Sequence, residues 1–138
     1  MPNRRTLMLT YVLGVLLGVG ATLAAGNDER VTKLFAGKLE NVPGHTLTAE
    51  VVDYPPGAKS TVHHHAGSVF AYVLTGKIRS QNSATGAARI YQAGESFFEP
   101  AGSDHLVSEN ASASEPASLL AIHVAEDGAV LTKQGNAK

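Results

Sequence analysis

Cysteine is absent from the 138 residues of this chain, which excludes several kinds of chemistry. No disulfide staples the fold, no thiolate serves as nucleophile or metal ligand, and no cysteine carries a lipid anchor. The formal net charge is only −1, which argues against a nucleic-acid partner because such partners require a basic patch. A G-x-S-x-G nucleophile elbow and a glycine-rich phosphate loop are also missing. Histidine is therefore the plausible nitrogen donor for a metal site.

The first 26 residues have the pattern of an export signal. Arg4 and Arg5 precede an apolar run over residues 7–25, which ends in small residues. About 19 residues are also enough for a helix to span a bilayer, so an uncleaved membrane anchor is the alternative. The first interpretation predicts a periplasmic or secreted protein. The second predicts a protein anchored in the cytoplasmic membrane through residues 7–25.

Short apolar stretches separated by turns predict an all-β domain after this segment. The 14 glycines and 6 prolines imply many turns, and the clearest strand pattern is the alternation over residues 46–52. We expect one barrel or sandwich over residues 46–125. An arm over residues 27–45 precedes it as a short helix or a strand on a sheet edge. A loose tail over residues 126–138 follows it.

Three consecutive histidines are the most informative feature of the chain. Alternate residues of a strand point to the same side, so His63 and His65 face one way and His64 faces the other. His105 follows a turn at residues 100–102 and would deliver a third imidazole from a distant strand. Three such nitrogens suit a first-row metal and leave positions open for water or substrate. The alternative is a set of polar histidines on an exposed strand.

Two segments of the chain, in order, resemble the two sequence motifs of the cupin superfamily. The motif residues stand at the family's spacing: Gly57, His63, His65 and Gly76 in the first motif, and Gly94, Pro100 and His105 in the second. The resemblance implies a single jelly-roll-like cupin β-barrel behind the N-terminal apolar helix or signal segment. It also implies that His63, His65 and His105 are metal ligands. Cupins commonly pair through sheet edges, so the resemblance further implies a homodimer.

One departure from the cupin pattern concerns the carboxylate ligand. The first motif places a glutamate where this chain has Val69. A neutral set of three nitrogens favours zinc, iron, copper or nickel, and favours manganese less. Glu99 is the candidate for a replacement ligand or a catalytic base, although Phe97 and Phe98 leave open which way its strand faces. Gln81 is the candidate for a polar residue that contacts a bound cofactor or ligand.

The other conspicuous side chains are expected to be structural. His64 should face away from the metal, His123 should be a core histidine, and Arg79 should be solvated. Three aromatic residues are expected to pack inside the barrel: Phe70, Tyr72 and Phe98.

Three functions remain open on this pattern. The first is a metal-dependent enzyme with oxidoreductase, dioxygenase-type or lyase chemistry on an unknown small molecule. The second is a non-catalytic module that holds a metal or a small ligand, since a fold alone does not establish a catalytic activity. The third is a structural protein with a vestigial site.

Overall fold

The computed structural model describes residues 28–137, which contain ten β-strands and no helix. The strands are β1 Arg30–Lys38, β2 His45–Tyr54, β3 His63–His65, β4 Ser68–Thr75, β5 Lys77–Asn82, β6 Arg89–Gln92, β7 Ser96–Glu99, β8 Asp104–Asn110, β9 Ala117–Glu126 and β10 Thr132–Gln134. Residues 28–137 contain no helix long and apolar enough to cross a membrane. The apolar run predicted as a signal or anchor, residues 7–25, lies outside the described residues.

The strands form two antiparallel five-stranded sheets. The first sheet has the order β1-β2-β9-β4-β7 and the second the order β10-β3-β8-β5-β6. The chain passes repeatedly from one sheet to the other at turns. Gly67 lies at such a crossing, where a Cβ atom would stand 1.9 Å from the carbonyl oxygen of Val124. Gly76 lies at the next crossing with a φ of 69° that favours glycine. The all-β expectation is confirmed.

The core lies between the sheets and follows from strand alternation. Along β4, the odd-numbered residues from Val69 to Val73 are buried and the even-numbered residues are exposed or half-buried, and β9 shows the same period of two. Val69, Val73 and Ile78 are almost completely buried. Burying each such side chain stabilises the fold by roughly 1.5–3 kcal/mol. The same alternation fixes which side chains face the interior site.

The prediction for the three aromatic residues was wrong. Phe70, Tyr72 and Phe98 are 42%, 38% and 52% exposed. Phe70 and Tyr72 share the outward parity of β4, because the inward positions of that strand belong to Val69 and its odd-numbered neighbours. Phe98 is the direct cross-strand partner of Phe70 on β7. These rings lie on the outer face of the first sheet.

Both flanking segments form strands. β1 pairs with β2 at the edge of the first sheet, which agrees with the edge-strand alternative for the arm. The expected loose tail differs from the structure, because β10 pairs with β3 and so lies directly beside the histidine strand. The side chains of β10 are exposed and show no pattern of buried apolar residues from which a strand could be predicted. Backbone pairing with β3 holds this strand in place. The exact domain boundaries stay a prediction.

Candidate metal centre

Three buried histidines converge between the two sheets. His63 and His65 point inward from β3 with 7% and 8% exposure, while His64 between them is less buried. His105 is the direct cross-strand partner of His63 on β8. One ring nitrogen from each histidine lies within 4.8 Å of the other two. The structure thus brings the three predicted ligands together in a group that could hold a metal ion.

Backbone carbonyls orient the two imidazoles of β3. Nδ1–H of His63 donates to the carbonyl oxygen of Thr61 at 2.7 Å. Nδ1–H of His65 is shared between the carbonyl oxygen of Leu131 at 3.3 Å and the hydroxyl of Thr132 at 3.1 Å. Such bonds fix the tautomer, so that the Nε2 lone pair of each ring is free to ligate. The C-terminal strand therefore supports a histidine of the first motif.

His105 is held at both ring nitrogens. Its Nδ1 lies 3.0 Å from Oε2 of Glu99 and its Nε2 lies 2.8 Å from the hydroxyl of Ser80. A metal ion on the Glu99 side would replace the Nδ1 proton, and Nε2–H would then donate to Ser80. Ser80 is buried on β5 next to the predicted residue Gln81. Apart from its parity on the strand, no sequence feature marks Ser80 as a partner of a histidine.

Glu99 faces the histidines. It is 3% exposed on β7, and its Oε2 lies 3.8 Å from Nε2 of His65 as well as 3.0 Å from His105. Phe97 shares its inward parity and packs on the core, whereas Phe98 points out, which settles the orientation that the sequence left open. Burial raises the pKa of Glu99, but the hydrogen bond from His105 and the nearby imidazoles outweigh it and leave the pKa below its usual value.

Gln81 lies apart from this group. Its position on β5 faces away from the interior, between the inward residues Ser80 and Asn82, and its side-chain amide donates to the carbonyl oxygen of Gly86 at 3.4 Å. It does not line the cavity at the histidines. Arg79, two residues before it, also points outward and pairs with Glu109 at 3.0 Å.

A second buried pair adjoins the three histidines. His123 on β9 is 3% exposed, as the core interpretation predicted, and its ring centroid lies 5.0 Å from that of His65. Its Nε2 lies 3.5 Å from Oε2 of Glu50 on β2. The direct partner of His123 on β4 is Val69, which shows that both point into the same interior. His123 is not among the three histidines that can share an ion.

A cavity of about 80 Å³ opens beside the histidines. Apolar walls come from the three central strands of the first sheet, β2, β9 and β4, and include Val52, Leu119 and Val69. A buried tyrosine, Tyr54, supplies a hydroxyl held at 2.8 Å by Ser108. Three carboxylates line the cavity, those of Glu29, Glu50 and Glu99. No lysine or arginine is among the lining residues. The site is therefore small, largely apolar and negatively charged before a metal binds.

The burial of neutral histidines predicts acid sensitivity of the metal-free protein. Burial lowers the pKa of His65 to about 4 against the partial opposition of Glu99, and burial also lowers the pKa values of His63 and His123. Unfolded histidines take up protons below about pH 6.5, while folded His65 stays neutral to about pH 4. The free energy of unfolding should therefore fall by on the order of 3 kcal/mol for His65 alone between pH 7 and pH 4. Urea unfolding of chelator-treated full chain at several pH values measures this loss.

Two variants control that measurement. His65→Gln should reduce the slope of stability with pH, and His64→Gln should leave it unchanged. A free energy of unfolding that stayed constant or rose on acidification would contradict a buried neutral His65.

Comparison with known proteins places the chain in a family. The family model for the cupin domain matches residues 50–123. This match covers more than half of the chain and includes both histidine segments. The chain belongs to the cupin family. No curated protein sequence matches it.

Solved structures give the same fold. A cupin-like protein from Thermotoga maritima is 22% identical with a TM-score of 0.61, and the match covers 79% of this chain and 77% of that protein. The DMSP lyase DddQ from Ruegeria pomeroyi is 21% identical with a TM-score of 0.56, over 67% of this chain and 44% of the lyase. At this identity both show the fold alone.

A third structure is closer in sequence but much longer. Oxalate decarboxylase from Bacillus subtilis, whose structure was studied for its Mn(II) centres, is 28% identical with a TM-score of 0.53. The match covers 64% of this chain and 23% of the decarboxylase. The chain thus spans less than half the length of the lyase and about a quarter of the decarboxylase.

Proposed function

We propose that this chain is an exported cupin that binds one divalent transition metal through His63, His65 and His105 and uses it in chemistry on a small molecule. The observation that carries the proposal is the fixed orientation of three buried imidazoles around a common point, next to a buried carboxylate. The donor set fits such an ion, since buried neutral imidazoles are favoured ligands of zinc, iron, copper and nickel. A metal bound here would supply Lewis-acid chemistry or, as iron or copper, reaction with dioxygen.

Glu99 is the proposed fourth ligand. It is the direct antiparallel partner of Val69, the position at which the cupin pattern has its glutamate. The two side chains face the same interior, with 1% and 3% exposure. Ligand atoms about 2.1 Å from one ion lie roughly 3 Å apart, which compares with 3.0 Å between Glu99 and His105 and 3.8 Å between Glu99 and His65. In this proposal the carboxylate ligand comes from β7, at the position directly opposite the β4 residue where the cupin pattern has its glutamate.

The residues around the cavity favour an uncharged or cationic small substrate. The ordinary way to bind an anion is an arginine or lysine at hydrogen-bond distance. Among the residues that line the cavity there is no such side chain, and Arg79 and Arg30 are paired elsewhere with Glu109 and Asp53. Glu50 and Glu29 would oppose a dianion such as oxalate. Apolar walls would exclude water from the reacting groups. The alternative role of Glu99, as a base beside the ion and not a ligand, would place its carboxylate to accept or return a proton.

A second candidate function is a non-catalytic binding module. The observation that favours it is the size of the cavity, about 80 Å³, which leaves room for only a few ligand atoms beside a metal. In this case the barrel would hold the ion, with water or a small molecule on it, and present it to a partner.

Metal analysis of the untagged full chain separates these functions. After exposure to zinc, iron, copper, nickel and manganese, mass spectrometry should find about one transition metal per chain. The loaded protein should then consume dioxygen or turn over a neutral or cationic compound from a panel, and should not turn over oxalate. Tightly bound metal without any turnover would support the binding module. Absence of tightly bound metal would overturn both, and turnover of oxalate would overturn the substrate class.

A further inference from the structure

The cavity beside the histidines has a floor of two alanines. Ala71 on β4 and Ala121 on β9 are direct cross-strand partners, and both are buried and line the cavity. Their side chains end at the methyl group, so the space above them stays open. Glu50 on β2 is the direct partner of Ala121 and also lines the cavity. Its carboxylate therefore borders the open space at one end of the alanine floor.

The cavity has one carboxylate at the metal site and a second one away from it. Glu99 is on β7 and Glu50 is on β2, and the strands β4 and β9 lie between them. Three strand spacings of about 4.8 Å separate these two backbones by roughly 14 Å. Glu99 contacts His65 and His105, whereas Oε2 of Glu50 lies 3.5 Å from Nε2 of His123. The two carboxylates thus serve different ends of the cavity.

His123 holds the carboxylate of Glu50, but no basic side chain neutralises it. Among the described residues, no lysine or arginine forms an ion pair with Glu50. Lys33 is its direct partner on β1, yet the side chain of Lys33 is exposed and does not line the cavity. The side chain of Glu50 is only 15% exposed. A carboxylate withdrawn from water in this way is stabilised by a cationic ligand.

A bound metal would give the two ends of the cavity opposite charges. A divalent ion held by neutral imidazoles and by Glu99 leaves a net positive charge at that end. Glu50 keeps its own end negative, and Glu29 adds a further negative charge to the cavity wall. A ligand that fits both ends has a neutral oxygen donor for the metal and a positive group for Glu50.

We propose that Glu50, held by His123, binds the ammonium group of a small aliphatic amine whose other end carries the oxygen donor. The inference rests on the proposed function for the metal-bound end of this ligand. An ammonium group has three donors, and hydrogen bonds between charged groups are about twice as strong as neutral ones. The cavity of about 80 Å³ admits only a few non-hydrogen atoms, since drug-sized ligands need about 300 Å³ or more. Glu50 selects the charge of the ligand, and the alanine floor limits its size.

Binding of n-propylammonium and 1-propanol to the chelator-treated full chain tests the Glu50 end by itself. The two probes have equal numbers of non-hydrogen atoms and differ in the charge of the terminal group. Solution NMR of the methyl groups of Ala71 and Ala121 reports occupation of the cavity, because these groups form its floor. Propylammonium should bind at least tenfold more tightly than propanol. Equal affinities, or no shift of either methyl resonance by propylammonium, would overturn the proposal.

Glu50→Gln assigns the selectivity to one residue, because it removes the charge and keeps the size of the side chain. The affinity for propylammonium should fall at least tenfold, and the affinity for propanol should stay within about twofold. Glu126→Gln removes the same charge from an exposed position on β9 and is the matched control, which should leave both affinities unchanged. A merely structural role of Glu50 would change both probes alike. Equal effects of the two glutamine variants on propylammonium would overturn the assignment, and circular dichroism checks that both fold.

Failure of this inference is distinguishable from failure of the proposed function. Equal binding of the two probes by a chain that holds one zinc ion tightly would overturn the ammonium site alone. Selective binding of propylammonium by a chain that holds no metal tightly would support the ammonium site and overturn the proposed metal function.

Discussion

Replacement of Glu99 by valine will lower the affinity of the full chain for zinc by about 100-fold or more. The variant removes the carboxylate that lies 3.0 Å from His105 and 3.8 Å from His65. Loss of a hydrogen-bonding partner outside the ligand set already costs about 10–100-fold in metal affinity, and loss of a ligand costs more. Competition with a colorimetric zinc chelator measures the affinity, and a wild-type value in Glu99→Val would contradict ligation by Glu99.

The reciprocal exchange is the stronger form of this experiment. In the double variant Val69→Glu with Glu99→Val the carboxylate moves back to the position of the cupin pattern, and zinc affinity should recover to within about tenfold of wild type. The exchange conserves side-chain composition, and both positions face the interior as direct cross-strand partners. Volume and register are therefore kept. A folded double variant as weak as Glu99→Val would mean that these two positions do not serve the same ion.

Replacement of His105 by alanine should have the second large effect. Its imidazole comes from the second motif and joins two histidines of the first. Zinc affinity should fall by more than about 100-fold, because loss of a hydrogen-bonding partner outside the ligand set already costs about 10–100-fold and His105 is itself a proposed ligand. The free energy of unfolding should also fall by about 1–3 kcal/mol, since Glu99 and Ser80 lose a buried hydrogen-bonding partner.

His64→Ala is the matched control for His105→Ala. His64 belongs to the same run of histidines, but its ring points away from the site and its Nδ1 lies 3.1 Å from the carbonyl oxygen of Gly135. Its zinc affinity should stay within about threefold of wild type, since it lies outside the ligand set. A larger loss in His64→Ala than in His105→Ala would mean that the two faces of β3 are exchanged.

The three histidines illustrate what local pattern can predict. Alternation along a strand is a property of three consecutive residues, so it fixed that His63 and His65 share a side. Motif spacing then joined them to His105. The carboxylate was harder, because Glu99 follows two consecutive phenylalanines, Phe97 and Phe98, and its direction depended on which of the two rings packs in the core. The packing of Phe97 inside decided it.

The partners of the histidines could not be predicted in the same way. Ser80 contacts His105 because β5 pairs with β8, and Thr132 contacts His65 because β10 pairs with β3. Both pairings join residues that are distant in sequence, and neither side chain differs in type from ordinary surface residues. The outward direction of Phe70, Tyr72 and Phe98 was missed for a related reason: strand parity does not say which of two apolar faces is the core.

By itself, the sequence determined that the chain is an all-β cupin with three histidines on a common side, because strand period, turn residues and motif spacing are encoded over a few neighbouring positions. Tertiary structure alone decided that Glu99 stands beside Val69, that the C-terminal strand orients His65, and that Phe70, Tyr72 and Phe98 point outward from the first sheet. These features depend on the register between strands far apart in the chain, which is set by the packing of the whole barrel and not by any local pattern.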